Sequence, residues 1–117
     1  MSSGEATRIA AGFERVTDDT LATGELRAAH LAGGTALCVG NADGRFFAVR
    51  DECPHSAFPL SRGQLLPGAR LECGWHGAQF DCRTGAVLEG PANDRLVLYD
   101  IHAADGGIWV RTEVTQP

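Results

Sequence analysis

Residues 35–50 read TALCVGNADGRFFAVR. Two runs of strand-forming residues, 35–40 and 45–50, flank Asp43-Gly44, a dipeptide that accepts the positive φ angles of a two-residue hairpin turn. The stretch therefore predicts a pair of antiparallel strands. Near the other end, RLVLYDIH (95–102) and GIWVRTEV (107–114) flank AADGG, with the same signal at Asp105-Gly106, and predict a second hairpin. Shorter candidates lie around them: FERV (13–16), the strand within TGELRAAHL (23–31), ARLEC (69–73), AQFDC (78–82), and a turn then a strand in TGAVLEGP (84–91). Short strands at intervals of about eight to twelve residues, with turns throughout, predict an all-β protein built as an antiparallel sandwich or small barrel.

The chain has 117 residues, the size of one domain able to bury a core without disulfide staples, so a single domain over 1–117 is expected, with 1–10 as a loose tail. Apolar residues make up 44% and charged residues 21%, as in ordinary globular proteins, and fifteen glycines favour turns over helices. No stretch is long and apolar enough for a signal peptide or a membrane span, which leads to the expectation of a cytoplasmic protein with no membrane partner. The net charge is −5, and the ten arginines, with no lysine, are scattered rather than grouped, which argues against nucleic-acid binding. In a reducing compartment, the four cysteines read as metal ligands or buried apolar residues rather than as a disulfide framework.

Between the two hairpins the chemistry concentrates. Cys53-x-His55 is followed, after seventeen intervening residues, by Cys73-x-x-His76, so half of all the cysteines and half of all the histidines fall in one pattern. Each pair offers one anionic sulfur and one neutral nitrogen, carried on a loop between strands. Two metal centres accept that donor set. A structural zinc ion takes two thiolates and two imidazoles, although zinc motifs usually group Cys with Cys and His with His. A [2Fe–2S] cluster with two thiolates on one iron and two imidazoles on the other needs one Cys and one His from each of two facing loops. Chain elements for other chemistry are absent from the sequence: there is no G-x-S-x-G, no Gly-rich dinucleotide fingerprint, and no set of two His and a carboxylate.

The segments CPHSAFPLSRGQLL (53–66), ARLECGWHGAQFDCRTGAV (69–87) and GPANDRLVLYDIHAADGGIWV (90–110) resemble a Rieske-type ferredoxin of bacterial ring-hydroxylating oxygenase systems, and the likeness runs from about residue 13 to residue 112. The resemblance implies a Rieske-like β-sandwich or barrel with a two-loop cluster-binding subdomain at about 51–82, and one [2Fe–2S] cluster per chain. It also implies that Cys53 and Cys73 hold the buried iron while His55 and His76 hold the outer iron and face solvent. By the same resemblance the chain is an electron carrier rather than an enzyme. It would take electrons from a flavin-containing, NAD(P)H-dependent ferredoxin reductase and pass them singly to a terminal oxygenase. The alternative is the small Rieske-like subunit of a nitrite reductase or other multicomponent reductase. The sequence departs from the family pattern at Gly74, where Pro is common, and at Ala57, where Gly is common. High-potential respiratory relatives carry a disulfide and two hydroxyls around the cluster; the matching positions are Phe58 and Trp75, and Ala78 and Phe80, so a potential at the low end of the Rieske range is expected.

The remaining notable residues have plainer readings. Cys38 lies in an apolar strand and reads as a buried apolar residue, and Cys82 is not expected to pair with it. Trp75 reads as packing beside the cluster, His30 and His102 as surface or strand residues, and Phe58, Pro59, Leu60 and Phe80 as the apolar cover of the site.

Overall fold

The computed structural model describes residues 12–54, 57–74, 77–89 and 95–114. Among them are ten strands: β1 (Phe13–Asp18), β2 (Leu26–His30), β3 (Ala36–Ala42), β4 (Arg45–Arg50), β5 (Gln64–Leu66), β6 (Arg70–Glu72), β7 (Gln79–Asp81), β8 (Val87–Glu89), β9 (Leu98–Ala104) and β10 (Gly107–Val114). One 3-10 turn, Leu60–Arg62, precedes β5. The strands form a six-stranded antiparallel sheet in the order β1-β10-β9-β4-β3-β2 and a four-stranded antiparallel sheet β5-β6-β7-β8. The expected all-β architecture is the observed one.

Both predicted hairpins form, and for the expected reason. Asp43 and Gly44 have φ of 55° and 92°, and Asp105 and Gly106 have φ of 53° and 73°, the pair of left-handed residues that a twisted two-residue turn demands. The small sheet is an excursion out of the large one. The chain leaves at the end of β4, builds β5 to β8, and returns as β9, which pairs with β4 through Ala48–Tyr99 and Val49–Leu98.

Strands β3 and β4 are buried on both faces, which explains why TALCVG and RFFAVR read as nearly continuous apolar runs. Successive side chains point to opposite sides of a strand. Accordingly Leu37, Val39 and Ala48 join a core with Leu31, Tyr99, Ile108 and Val110. Their neighbours Cys38, Phe47 and Val49 join a second core with Leu60, Leu71, Phe80 and the cysteines of the small sheet. The large sheet is thus a shared wall, and the small sheet with its loops packs on the side of Cys38. Gly40 serves that wall: a Cβ there would stand 2.5 Å from the Phe47 ring of β4 and 2.9 Å from Leu26 of β2.

The edge strands β1 and β2 of the large sheet are bridged by side chains. Arg27 on β2 donates to the Thr17 hydroxyl (3.0 Å), the Asp18 carbonyl (3.3 Å) and the Asp18 carboxylate (2.9 Å), and the Ala32 amide donates to the Glu14 carboxylate at 2.9 Å. The exposed Asp18 carboxyl is held down at about 2, chiefly by the hydroxyl of Thr20, then by the Thr20 amide and Arg27.

Two local expectations need adjustment. The strand expected from residue 95 begins at Leu98; Val97 O still accepts from Arg50 N–H of β4 at 2.9 Å, but before it Leu96 N–H turns away to donate to Gly85 O at 2.9 Å. Strand β5, absent from the sequence reading, is only three residues long and has no alternation of its own; it exists because Leu65 pairs with Leu71 of β6.

Candidate metal centre

Two loops carry the expected ligands, one following β4 and one joining β6 to β7. Each starts at a cysteine that is 1% exposed, Cys53 and Cys73. The Cys53 amide donates to the Phe58 carbonyl at 2.9 Å, and the Cys73 amide donates to the Ala78 carbonyl at 2.8 Å. In each, the fourth residue after the cysteine is left-handed, Ala57 at φ 62° and Gly77 at φ 71°. Cysteine, left-handed residue and closing carbonyl recur at an offset of twenty residues, so the loops are equivalent although their histidine spacings differ. The expected ligands His55 and His76, together with Trp75, lie outside the described residues, each between its cysteine and the left-handed position in sequence.

The two thiols share one core. Leu60, Leu71, Ala78 and Phe80 are fully buried around them, and Phe58 packs against the same group. Of the expected cover, Leu60 and Phe80 are buried, while Phe58 and Pro59 are partly exposed. The loops also touch each other: a Cβ on Gly74 would stand 3.1 Å from the Phe58 ring, so glycine at 74 lets the aromatic ring of the first loop lie on the second. Beside the second loop, Gln79 donates its Nε2 to Glu72 Oε2 at 3.1 Å.

Cys38 and Cys82 belong to the same core, away from the two loops. Burial pushes Cys38 well above the usual thiol range, with Asp51 and Cys82 adding to the effect. Burial, then the Asp81 charge, pushes Cys82 up to about 12. Neither is in a disulfide. His30 and His102 are exposed strand residues, and the His102 ring lies 6.1 Å from that of Phe13.

The donor chemistry fits an iron–sulfur centre. Two buried thiols on equivalent, self-closed loops converge on one apolar core, and a histidine stands in the sequence of each loop. Sequence reasoning missed the residues that brace the loops, Asp51, Ser61 and Gly63. They belong to no motif, and only the folded geometry brings them together.

Residues 14–101 match the family model described as the Rieske [2Fe-2S] domain. The chain is 37% identical over 94 residues to the ferredoxin component of the p-cumate 2,3-dioxygenase system of Pseudomonas putida, covering 80% of this chain and 79% of the relative. It is 36% identical over 81 residues to the 3-phenylpropionate/cinnamic acid dioxygenase ferredoxin subunit of Escherichia coli (strain K12), covering 69% and 76%. Among solved structures it is similar to a chain of the complex of reduced oxygenase and oxidized ferredoxin in carbazole 1,9a-dioxygenase, with a TM-score of 0.82 and 26% identity over 91% of this chain and 98% of that one. With the antiparallel double sheet, the two equivalent loops and the paired buried cysteines, these likenesses place the chain in the Rieske [2Fe-2S] domain family.

Proposed function

We propose that the protein is the one-electron ferredoxin component of a multicomponent oxygenase system, with Cys53 and Cys73 ligating one iron of a [2Fe–2S] cluster and His55 and His76 the other. The cluster supplies a one-electron couple that changes charge with little movement of its ligands. The observation carrying the reading is the pair of equivalent loops that bury Cys53 and Cys73 in one core. Leu60, Leu71 and Phe80 keep water from the thiol side, and the amides of Cys53 and Cys73 close each loop on its own backbone. On the outside the loops present Ala57 and Gly74, both exposed and small, so a partner surface can come close to the cluster end of the molecule. Close approach is what electron transfer between proteins needs.

The electron donor in this reading is a flavin-containing, NAD(P)H-dependent reductase, and the acceptor is a terminal oxygenase acting on an aromatic ring. Support comes from relatives that are ferredoxin components of dioxygenase systems and from a similar solved chain in a complex containing an oxygenase. The net charge of −5 suits transient docking to basic surfaces. Among the described residues no helix is long and apolar enough to cross a membrane, in keeping with a cytoplasmic carrier.

Iron and acid-labile sulfide analysis with the visible and electron paramagnetic resonance spectra of the purified protein tests the site. A reddish-brown protein with two irons and two sulfides per chain is expected from the cluster stoichiometry. Cys53→Ser and Cys73→Ser should abolish the spectrum. A colourless zinc protein would refute the proposal. Stopped-flow reduction by a reductase and reoxidation by an oxygenase encoded beside it tests the role.

A further inference from the structure

The two ligand loops are buckled together below the cysteines. Asp51, two residues before Cys53, is fixed to β3 by donating its amide to the Ala36 carbonyl at 2.9 Å. Its carboxylate then takes hold of Ser61 twice: Oδ1 accepts the Ser61 amide at 2.7 Å and Oδ2 accepts the Ser61 hydroxyl at 2.6 Å. Ser61 is the middle residue of the 3-10 turn Leu60–Arg62, whose Leu60 is fully buried. The turn closes through Gly63, whose amide donates to the Leu60 carbonyl at 2.9 Å.

Gly63 is seated against the second loop. A Cβ there would overlap the Glu72 carbonyl oxygen and lie 3.3 Å from the Gly74 nitrogen. Those two groups flank Cys73 on either side. A continuous mechanical path therefore runs from Cys53 to Asp51, across to Ser61, along the turn to Gly63, and onto the backbone that carries Cys73.

We propose that Asp51 is a positioning residue for the cluster: by gripping both the amide and the hydroxyl of Ser61, it sets the separation of the Cys53 and Cys73 loops, and with it the retention and electronic symmetry of the bound group. The inference rests on the ligand set proposed above. Hydrogen bonds to a charged acceptor are the strong ones, and two of them share the same short span, so the grip resists any spreading of the loops.

The test uses the cluster-loaded protein and four variants: Asp51→Ala, Asp51→Asn, Ser61→Ala and Ser61→Thr. Two readouts are followed, the rate of cluster loss to an iron chelator and the g-values and line widths of the reduced protein. Losing both bonds in Asp51→Ala should speed cluster loss about tenfold and broaden or shift the resonance signal. Ser61→Ala keeps the amide bond and should fall between, while Ser61→Thr keeps the hydroxyl and should restore wild-type behaviour. Because Asp51 and Ser61 act through one grip, the double variant Asp51→Ala/Ser61→Ala should lose its cluster no faster than Asp51→Ala alone. Asp51→Asn separates grip from charge: if it behaves as Asp51→Ala, the anionic acceptor is what matters. The proposal is overturned if Asp51→Ala lowers the melting temperature yet leaves resonance and cluster loss unchanged, or if the two single effects simply add. Should Asp51→Ala fail to fold, the Ser61→Ala and Ser61→Thr pair decides alone. A wild-type protein that never carries iron and sulfide would instead refute the ligand assignment.

Discussion

Ala57 and Gly77 hold the same left-handed backbone, φ 62° and 71°, at the same place in the two cysteine loops. Only one of them is suited to it. An L-residue in that region carries a penalty of roughly 1–2 kcal/mol that glycine avoids, partly offset by the greater chain entropy glycine loses on folding. Ala57→Gly should therefore stabilise the protein by about 0.5–1 kcal/mol, read as a higher denaturation midpoint. Gly77→Ala should lower it, because its Cβ finds room, with Glu72 Oε2 at 3.9 Å, and only the conformational penalty is left. If Ala57→Gly lowers the midpoint, the equivalence of the loops is wrong.

Gly63→Ala should be far more damaging than its single methyl suggests. Backbone, not a flexible side chain, occupies the space the Cβ would need, so the strand carrying Cys73 must move. Overpacking of this kind costs about 1–3 kcal/mol, and the displacement should cut the iron content of the purified protein. Gly33→Ala is the control, since nothing lies within 4 Å of its Cβ position and its stability and iron content should match wild type.

Cys38→Ser and Cys82→Ser should keep the visible spectrum while losing stability, since each places a hydroxyl in an apolar core. Their thiols also predict the alkaline limit of the fold. Cys82 is raised from 9.0 to about 12. The folded state therefore holds the proton more tightly than the unfolded one, and its contribution is whole below about pH 9 and is lost as pH rises towards 12. Urea midpoints measured from pH 8 upward should fall across that window, and less steeply in Cys82→Ala. At neutral pH, iodoacetamide should not label Cys82 in the folded protein.

The reduction potential should lie near the low end of the Rieske range, about −150 mV. Ala78 and Phe80, fully buried beside Cys73, have no hydroxyl to donate towards the cluster sulfurs, and Phe58 has no thiol. Protein-film voltammetry on wild type and Ala78→Ser checks this, with the serine variant expected at a higher potential. A strongly positive wild-type value would contradict the reading.

What the sequence disclosed depended on how local the signal was. Asp43-Gly44 and Asp105-Gly106 announced their hairpins because the turn chemistry lies within two residues. The pairing of β4 with β9 gave no such sign, since the whole small sheet lies between Ala48 and Tyr99 in the sequence. Likewise Cys53 and Cys73 stood out as candidate ligands through their spacing from His55 and His76. Asp51, Ser61 and Gly63 were not, because a carboxylate, a hydroxyl and a missing side chain become a brace only in contact. The double burial of β3 was half visible, in a run too apolar to have a wet face.

The side-chain bridge from Arg27 and Glu14 across β1 and β2 bears on how long this protein stays with anything it meets. The outer rims of the large sheet are where a neighbouring chain could add a strand, and long-lived association through shared backbone ladders begins at such rims. Here the Asp18 carbonyl and the Ala32 amide are already taken by Arg27 and Glu14. With the ends of both rims tied in this way, strand addition there has fewer free backbone groups to start from, which favours side-chain contacts that form and release quickly, as a courier between two stations needs.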